Sequence, residues 1–524
     1  MRFFNTEGPN RAADHYSLPP LTRWDLDQIL TLIAQKKYFL LHAPRQTGKT
    51  TCMLALTERL NRQSRYRALY ANIEAAQTTR EDVGRGMAAI CSVLGRSARL
   101  YLNDERLDEW CGKEGAKVPA EDRLSRLLEF WAAADPRPAV LLLDEVDALV
   151  GDTLISLLRQ LRAGYSQRPE RFPQTVMLCG VRDLRDYRIH ASSETEVITG
   201  GSAFNIKAKS LRLGDFNQDE INTLLLEHTA ETGQVFTPDA LERVWHLTRG
   251  QPWLVNALAY EACFDMRAGR DRSRAIDLTM IDQAKENLIQ RRVTHLDQLA
   301  DKLREPRVRR VIEPMLAGTS LGEVPEDDRQ YLVDLGLLRR EGAGGLTVAN
   351  PIYREVLPRF LASGPQDSLP RISPTWLNLD GSLNSEQLLG AFLSFWRQHG
   401  EPLLGSAPYH EIAPHLVLMA FLHRVVNGEG TLEREYAIGS GRMDLCLRYG
   451  PVTLAMELKV WRDGRPDPLN EGLVQLDDYL AGLDLDQGWL VIFDRRGAQR
   501  PIAERTTSTE ARSPGGRCIQ VVRA

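Results

Sequence analysis

The 524 residues of the chain carry a formal net charge of −4, with 66 Lys and Arg against 70 Asp and Glu. Overall charge therefore cannot hold a nucleic acid, and any such contact must come from local basic patches. The seven cysteines form no CxxC pair, which argues against a disulfide framework or a zinc site and for a reducing compartment. We expect a cytoplasmic protein of several domains, without a signal peptide or a membrane span.

Short apolar strands alternate with helical segments in the first part of the chain. An apolar strand is predicted at 38–41, and further strands at 67–72, 139–144 and 175–180. This alternation is typical of a parallel sheet covered by helices. We therefore predict an α/β fold with a first domain over residues 1–206.

The rest of the chain divides by composition and by hydrophobic period. Residues 207–303 are predicted to be a helical lid, and two helices with a hairpin over 304–362 give a winged-helix outline. Ser, Pro and Gly are frequent in 363–384, which indicates a linker. A second α/β domain is predicted over 385–524, where the polar stretch 499–516 is expected to be a loop.

A phosphate-binding loop follows the first predicted strand. The segment fits GxxxxGK[ST] except that Ala43 replaces the first glycine, and it lies between a strand and a helix as the motif requires. Gly48 would let the backbone approach a phosphate, Lys49 would reach the β- and γ-phosphates, and the Thr50 hydroxyl would ligate Mg²⁺. The predicted nucleotide-binding residues are Ala43, Pro44, Arg45, Gln46, Thr47, Gly48, Lys49, Thr50 and Thr51.

The apolar strand at 139–144 ends in two adjacent carboxylates, Asp144 and Glu145. Asp144 can hold Mg²⁺ through water, and Glu145 can polarise the water that attacks the γ-phosphate. A solvated turn is the ordinary alternative for Asp-Glu after a strand, but the upstream phosphate loop favours the catalytic interpretation. We therefore predict ATP as the ligand and Mg²⁺ as its cofactor.

Residues 15–360 resemble the AAA-like and signal-transducing (STAND-type) P-loop ATPases. Besides the two motifs, the resemblance covers a strand in the sensor position at 175–183. It also covers Gly250-Gln251-Pro252, which looks like the GxP motif that these proteins carry near the adenine. The resemblance implies that Pro252 is a nucleotide-binding residue.

The same resemblance assigns roles to three arginines. It implies that Arg182 senses the nucleotide, with a surface salt bridge to Asp183 or Asp186 as the alternative. Arg159 and Arg162 would be candidates for a finger that acts on a neighbouring copy in a homo-oligomer. An exposed helix face is the simpler explanation for this pair.

Three charged residues of the second α/β domain fall on two successive predicted strands. Asp444 follows the turn at 439–441, and Glu457 and Lys459 lie on the strand that follows the turn at 449–451. Because side chains alternate along a strand, Glu457 and Lys459 point the same way, and a hairpin can bring Asp444 beside them. Two converging carboxylates bind Mg²⁺, which can activate water near a scissile phosphate, while the lysine orients that water or neutralises charge.

This arrangement resembles the PD-(D/E)xK nuclease superfamily over residues 385–524. Asp444, Glu457 and Lys459 stand at the motif positions, although Met443 replaces the usual proline. The resemblance implies a restriction-endonuclease-like domain with Asp444 and Glu457 as metal ligands. An exposed strand edge is the ordinary alternative for Glu-x-Lys alone.

Accessory residues of that superfamily have candidates here. Gln475 and Tyr479 are four apart on one predicted helix face and resemble its QxxxY element. Glu411 is the candidate for the upstream helical glutamate, with Glu435 as the second choice. Pro414 places Glu411 at or just outside the start of its helix.

The motifs together predict an ATP-hydrolysing protein that regulates a tethered Mg²⁺-dependent DNA nuclease, in defence or DNA processing. Two alternatives remain open. One is a STAND-like signalling switch whose C-terminal domain binds nucleic acid or a protein without cutting. The other is a winged-helix DNA-binding regulator, for which the basic residues are Arg304, Arg307, Arg309, Arg310, Arg339 and Arg340.

Overall fold

The computed structural model describes residues 1–182, 188–190, 197–199, 205–291, 294–316, 321, 324–341, 345–368, 375–378, 380–406, 413–426, 430–438, 441–497 and 499–524. The chain forms two compact units. The first comprises residues 1–293 and 325–351, and the second comprises 294–324 and 352–524. Each unit is thus built from segments that are not continuous in sequence.

A parallel sheet lies at the centre of the first unit. The strands of this unit before residue 293 are β1 (Tyr38–His42), β2 (Arg67–Asn72), β3 (Ala139–Asp144), β4 (Thr175–Gly180), β5 (Arg188–His190), β6 (Val197–Thr199) and β7 (Lys207–Arg212). Five of them form the parallel sheet in the order β2-β3-β4-β1-β7, while β5 and β6 make a separate antiparallel pair. The predicted parallel α/β fold is confirmed for this unit.

The side chains of β1 alternate between two cores. Tyr38 and Leu40 join the core on one face of the sheet, and Phe39 and Leu41 join the core on the other. All four are fully buried. A parallel sheet has helices on both faces, which is why this strand is apolar throughout rather than alternately polar.

Helices cover this sheet and continue beyond it. Their bounds are α1 (Leu26–Ala34), α2 (Lys49–Arg62), α3 (Val83–Leu102), α4 (Arg106–Lys113), α5 (Ala120–Ala133), α6 (Gly151–Ala163), α7 (Gln218–Thr232), α8 (Pro238–Thr248), α9 (Pro252–Tyr260) and α10 (Leu278–Gln290). The predicted start of the helical segment at residue 207 is wrong, because residues 207–212 form β7 of the sheet. This edge strand reads Lys-Ala-Lys-Ser-Leu-Arg, so it lacks the apolar run by which the inner strands are recognised.

The segment predicted to be a winged helix contains its expected elements. They are α12 (Pro306–Leu316), α13 (Glu326–Asp334), β8 (Leu338–Arg340) and β9 (Leu346–Val348), preceded by α11 (Thr294–Lys302). The two strands pair as an antiparallel hairpin. However, α12 belongs to the second unit and α13 with the hairpin to the first, so a winged-helix domain over 304–362 stays a prediction.

A mixed sheet forms the centre of the second unit. Its strands are β10 (Gly430–Ile438), β11 (Gly441–Tyr449), β12 (Val452–Trp461), β13 (Gln487–Asp494), β14 (Thr507–Arg512) and β15 (Cys518–Arg523), in the order β10-β11-β12-β13-β15-β14. Strands β12, β13 and β15 are parallel to one another, and the outer pairings are antiparallel. The helices are α14 (Pro351–Ser368), α15 (Ser385–Ser406), α16 (Ala413–Val426), α17 (Leu469–Leu483) and α18 (Ile502–Arg505).

Two sequence predictions for this unit are wrong. The polar stretch 499–516 is not simply a loop, because it contains α18 and the edge strand β14, which pairs with β15. An edge strand is half solvated, so its sequence need not be apolar. The predicted linker 363–384 begins inside α14, which runs to Ser368. Across the described residues, no helix combines the length and apolar character needed to cross a bilayer.

Candidate functional site

The phosphate loop connects β1 to α2 and opens that helix at Gly48. Gly48 is the N-cap of α2 and has φ 91°, a left-handed conformation that glycine adopts without strain. Lys49 is 5% exposed, and its Nζ donates to the carbonyls of Ala43 and Pro44 at 2.9 Å each. The ammonium is thus held inside the loop, where the helix start presents its free N–H groups to an anion.

The departure from the motif at Ala43 is compatible with the loop. Ala43 is fully buried, its N–H donates to Gly180 O at 3.3 Å, and it is not among the described residues with positive φ. The positive φ values of the loop occur at Gln46 and Gly48. A methyl group at position 43 therefore causes no backbone strain. Thr47 is buried as well, whereas Arg45 and Gln46 are exposed.

Asp144 lies at the end of β3, buried and directly beside the phosphate loop. Its Oδ2 accepts hydrogen bonds from Thr50 Oγ1 at 2.7 Å and from the Tyr70 hydroxyl at 3.0 Å. A threonine hydroxyl touching a carboxylate is the donor pair that holds Mg²⁺ in P-loop proteins, so these residues fit the ion. Sequence reasoning missed Tyr70, because a tyrosine within an apolar strand gives no sign of its partner.

Glu145 follows Asp144 in a left-handed conformation with φ 57°. The Glu145 N–H donates to Asp144 Oδ1 at 2.9 Å. Burial, followed by the negative charge of Asp147, raises the pKa of Glu145. A non-glycine residue at positive φ is uncommon and occurs often at functional sites. A carboxylate with a raised pKa beside the Mg²⁺ ligands suits the predicted role of polarising water.

A cleft adjoins the phosphate loop. Its lining includes Gln46, Thr47, Gly48 and Thr51 of the loop and, from other segments, Asn5, Thr6, Glu7, Gly8, Asn10, Leu18, Pro20, Arg23, Cys52, Phe216, Pro252, Trp253 and Asn256. The N-terminal residues and Arg23 were missed in the sequence, because no motif marks them.

The Gly250-Gln251-Pro252 motif lies at the start of α9, beside the cleft. Gly250 has φ 87°, and a Cβ there would lie 1.9 Å from Phe216 O, so only glycine fits. The Gln251 side chain caps α9 by accepting the N–H of Leu254 at 2.6 Å, and Pro252 occupies the first turn. Each residue of the motif thus has a local structural reason, and Pro252 lines the cleft.

Arg182 follows β4 and contacts α13. Its Nε lies 3.7 Å from Asp334 Oδ2, and its guanidinium lies 4.9 Å from the centre of the Tyr331 ring. Asp334 is a buried carboxylate, 3% exposed. The alternative partners Asp183 and Asp186 lie outside the described residues. The sequence did not reveal the contact with Asp334, because more than a hundred residues separate the two. Arg159 and Arg162 are exposed on α6.

In the second unit, strand alternation gathers the predicted charged residues on one face. Leu454, Met456 and Leu458 of β12 join the core on one side of the sheet, while Ala455 joins the core on the other. Glu457 and Lys459 therefore share the Ala455 face, which α17 covers through Leu476. On β11, Cys446 belongs to that same core, so Asp444 also faces this side.

Asp444 stands where β11 separates from β12. The β11–β12 pairing ends at Leu445 opposite Met456, and the N–H of Leu458 then donates to Asp444 Oδ2 at 2.8 Å. The carboxylate thus satisfies a strand amide that has lost its neighbouring carbonyl.

An ion pair organises the rest of this cluster. Lys459 Nζ lies 2.9 Å from Glu457 Oε1 and 3.5 Å from Glu471 Oε1. Burial, reinforced by the charge of Asp444, raises the pKa of Glu457. Burial opposes the charge of Lys459, but its pairing with Glu457 and the nearby Asp444 raise its pKa overall.

The predicted accessory residues have different outcomes. Gln475 on α17 accepts a hydrogen bond from Lys459 Nζ through its Oε1. Tyr479, one turn later, packs against the apolar core beneath α17. Glu411 lies outside the described residues, and so does the side chain of Glu435. Glu471 was missed, because a single exposed glutamate in a first helical turn is too common to single out.

The carboxylates of this cluster fit a hard cation. Glu457 is 4% exposed, and its Oε2 is buried without a hydrogen-bond partner among the described residues. Within that part of the chain, no group of three or more His, Cys, Asp or Glu is placed to hold a metal. Two carboxylates, completed by water and substrate phosphate, are the protein ligands that Mg²⁺ commonly takes.

A known protein family matches part of the first unit. Residues 33–187, which include the phosphate loop, Asp144 and Glu145, match the family described as AAA domain. No curated protein shows significant similarity to the chain.

Among solved structures, the chain is similar to a Walker-type ATPase of Pyrococcus abyssi (15% identity, 68% of this chain and 99% of the other, TM-score 0.47). It is also similar to Cdc6p of Pyrobaculum aerophilum (14% identity, 78% and 96%, TM-score 0.37). A third is the RuvB Holliday junction branch migration motor of Thermotoga maritima (15% identity, 63% and 91%, TM-score 0.33).

Proposed function

We propose that the chain binds and hydrolyses ATP at the phosphate loop, and that this cycle regulates a Mg²⁺-dependent DNA nuclease site in the second unit. The observation that carries the proposal is that Asp444, the buried Glu457 and Lys459 share one face of the sheet, where Gln475 contacts Lys459. The residues proposed to bind the nucleotide lie in the first unit, which contains the stretch that matches the AAA domain family.

The nucleotide half of the proposal rests on four side chains. Lys49 would leave the loop carbonyls for the β- and γ-phosphates, a small displacement because its ammonium already lies in the loop. Thr50 and Asp144 would hold Mg²⁺, which neutralises charge that develops on the phosphates. Glu145 would orient the attacking water and accept its proton.

The nuclease half of the proposal rests on a division of labour within the C-terminal cluster. Asp444 and Glu457 would hold a Mg²⁺ ion, which lowers the pKa of a bound water and stabilises negative charge on the phosphate. Lys459 would donate to a non-bridging phosphate oxygen or to the water. Gln475 would keep the ammonium directed at the site in the absence of substrate.

The test uses the full chain and matched substitutions in each half. Lys49→Ala should abolish ATP hydrolysis, because the β- and γ-phosphates would lose the positive charge of the buried Lys49 side chain. Asp444→Ala or Lys459→Ala should remove Mg²⁺-dependent cleavage and leave ATP hydrolysis intact. The measurement is cleavage of single-stranded, double-stranded and branched DNA and of RNA, with and without ATP, Mg²⁺ and Mn²⁺.

The possible results separate the proposal from its alternative. Cleavage that persists unchanged in the Asp444→Ala protein would come from another source and end the nuclease assignment. ATP hydrolysis without cleavage of any nucleic acid, with either metal, would instead favour a signalling switch whose C-terminal unit binds a partner without cutting it.

A further inference from the structure

The N-terminal segment forms a fixed wall of the cleft beside the phosphate loop. Arg2 pairs with Glu227 at 3.0 Å and with Glu231 at 2.9 Å on α7, and Phe4 is fully buried. Farther along, Trp253 Nε1 donates to the carbonyl of Thr6 at 2.9 Å. These contacts tie the segment to the helices of the first unit, so Asn5, Thr6, Glu7, Gly8 and Asn10 line the cleft in a defined position.

The segment also contacts the helix of the phosphate loop. The N–H of Asn10 donates to Thr51 Oγ1 at 3.0 Å. Thr51 follows Lys49, which the proposed function assigns to the nucleotide phosphates, and Thr50, which it assigns to Mg²⁺. The wall is therefore fixed relative to the place where those phosphates would lie, and the cleft is the space left for the rest of the nucleotide.

Two asparagine side chains of this cleft are oriented by hydrogen bonds from their nitrogens. Asn256 Nδ2 donates to Pro252 O at 2.8 Å, and Asn10 Nδ2 donates to Tyr16 O at 3.4 Å. In each amide the oxygen is therefore left free, since the nitrogen cannot exchange places with it without losing its bond.

Both amide oxygens lack a partner. Asn10 Oδ1 and Asn256 Oδ1 are buried and accept no hydrogen bond from any residue that the structure describes. Asn256 as a whole is 9% exposed. A buried acceptor without a donor is costly, and such atoms are rare in folded proteins. Both residues line the cleft, so a ligand there could supply the missing donors.

We infer that Asn10 and Asn256 determine base specificity by accepting hydrogen bonds from the 6-amino group of adenine. This inference rests on the proposed function, that the cleft and phosphate loop bind ATP. An exocyclic amine carries two N–H donors, which matches two acceptors. Guanine and hypoxanthine carry a carbonyl oxygen at the same position, which would face two further acceptors without any donor.

The test compares nucleotides that differ at this position, in the full-length protein with Mg²⁺. Calorimetric titration with ATP, GTP and purine riboside triphosphate, which has hydrogen in place of the amino group, gives the affinities. The wild-type protein should bind ATP about 10-fold more tightly than purine riboside triphosphate, and GTP more weakly still. In Asn256→Ala and, separately, Asn10→Ala, ATP should lose most of this advantage while purine riboside triphosphate binds as before.

Asn222 provides a matched control. Its Oδ1 is also buried without a partner among the described residues, but it lies on α7 and does not line the cleft. Asn222→Ala should keep the full preference for ATP. If Asn256→Ala does not fold, Asn10→Ala on the N-terminal segment still tests the assignment.

The outcomes distinguish this inference from the proposed function. Equal wild-type affinity for ATP, GTP and purine riboside triphosphate, with all three lost in Lys49→Ala, would overturn the base assignment and leave the phosphate site in place. Absence of binding by every nucleotide in the wild-type protein would overturn both.

Discussion

Gly250 joins the N-terminus of α9 to Phe216 at a distance that permits no side chain. The N–H of Phe216 donates to Gly250 O at 2.8 Å, and the glycine stands at φ 87°. Two independent demands, a left-handed backbone and a close approach, meet at this residue. That is why a glycine in this motif can be explained by packing as well as by its resemblance to a nucleotide motif.

Gly250→Ala should lower the free energy of unfolding by more than about 2 kcal/mol, because the new methyl group meets the Phe216 carbonyl as well as a strained φ. The matched control is Gly233→Ala, which ends α7 at φ 77° with nothing within 4 Å. This control should cost only about 1 kcal/mol. Urea unfolding of both variants measures the difference; equal losses would mean that backbone conformation alone accounts for Gly250.

His295 should make the stability of the protein depend on pH. Burial lowers the pKa of His295 to about 4, and its Nε2 lies 2.7 Å from the Tyr353 hydroxyl. In the unfolded chain the His295 imidazole takes up a proton near pH 6.5, so the free energy of unfolding keeps its full value above that pH. The free energy of unfolding decreases as the pH falls toward 4, by about 2 kcal/mol at about pH 5. Urea unfolding at several pH values should show this slope reduced in His295→Gln, and an unchanged slope would contradict the assignment.

At the scale of elements, α17 packs on the sheet of the second unit and contributes Gln475 to the charged cluster. The helix lies on β12 and β13, and it brings Gln475 to Lys459 and Leu476 to the core below. Gly472 permits this close packing, since a Cβ there would lie 2.5 Å from Leu490 Cδ1 on β13. The position of Gln475 therefore depends on a small residue one turn earlier.

Gly472→Val should move α17 away from β13, separate Gln475 from Lys459, and reduce Mg²⁺-dependent cleavage by more than about tenfold. ATP hydrolysis should remain, because the first unit is untouched. Gly390→Ala on α15 is the control: nothing lies within 4 Å of its Cβ position, so it should be neutral or stabilise the helix by up to about 1 kcal/mol. Cleavage rates and thermal melting of both variants measure this, and normal cleavage by Gly472→Val would show that the packing of α17 is not limiting.

At the scale of the whole molecule, the chain interleaves its two units. Residues 294–324 belong to the second unit although they precede residues 325–351 of the first. In this early segment Leu296, Val308 and Val311 are buried. The predicted boundary after residue 362 therefore cuts within a compact unit rather than between domains.

A chain truncated after residue 362 should keep ATP binding, since every residue of the first unit is present. It should also expose the apolar side chains of 294–324, because most of their unit is missing. Binding of a hydrophobic dye should therefore rise relative to the full chain, and the melting curve should lose cooperativity. A truncated chain that binds no more dye than the full protein would instead support an independent winged-helix domain over 304–362.

The sequence by itself determined the parallel sheet, the phosphate loop and the facing of Glu457 and Lys459. These features follow from local rules: apolar runs for buried strands, glycine at a phosphate, and alternation along a strand. The polar edge strands β7 and β14 escaped prediction, because one side of an edge strand has no neighbour to demand apolar residues.

Only the tertiary structure decided which distant residues meet. It brought Tyr70 to Asp144, Asp334 to Arg182 and the N-terminal Asn10 to the cleft. Such contacts depend on how segments far apart in sequence pack together, and a single polar residue in an ordinary stretch carries no sign of its partner. The local motifs of this chain can therefore be recognised from its sequence, whereas the distant residues that contact them could be identified only from the fold.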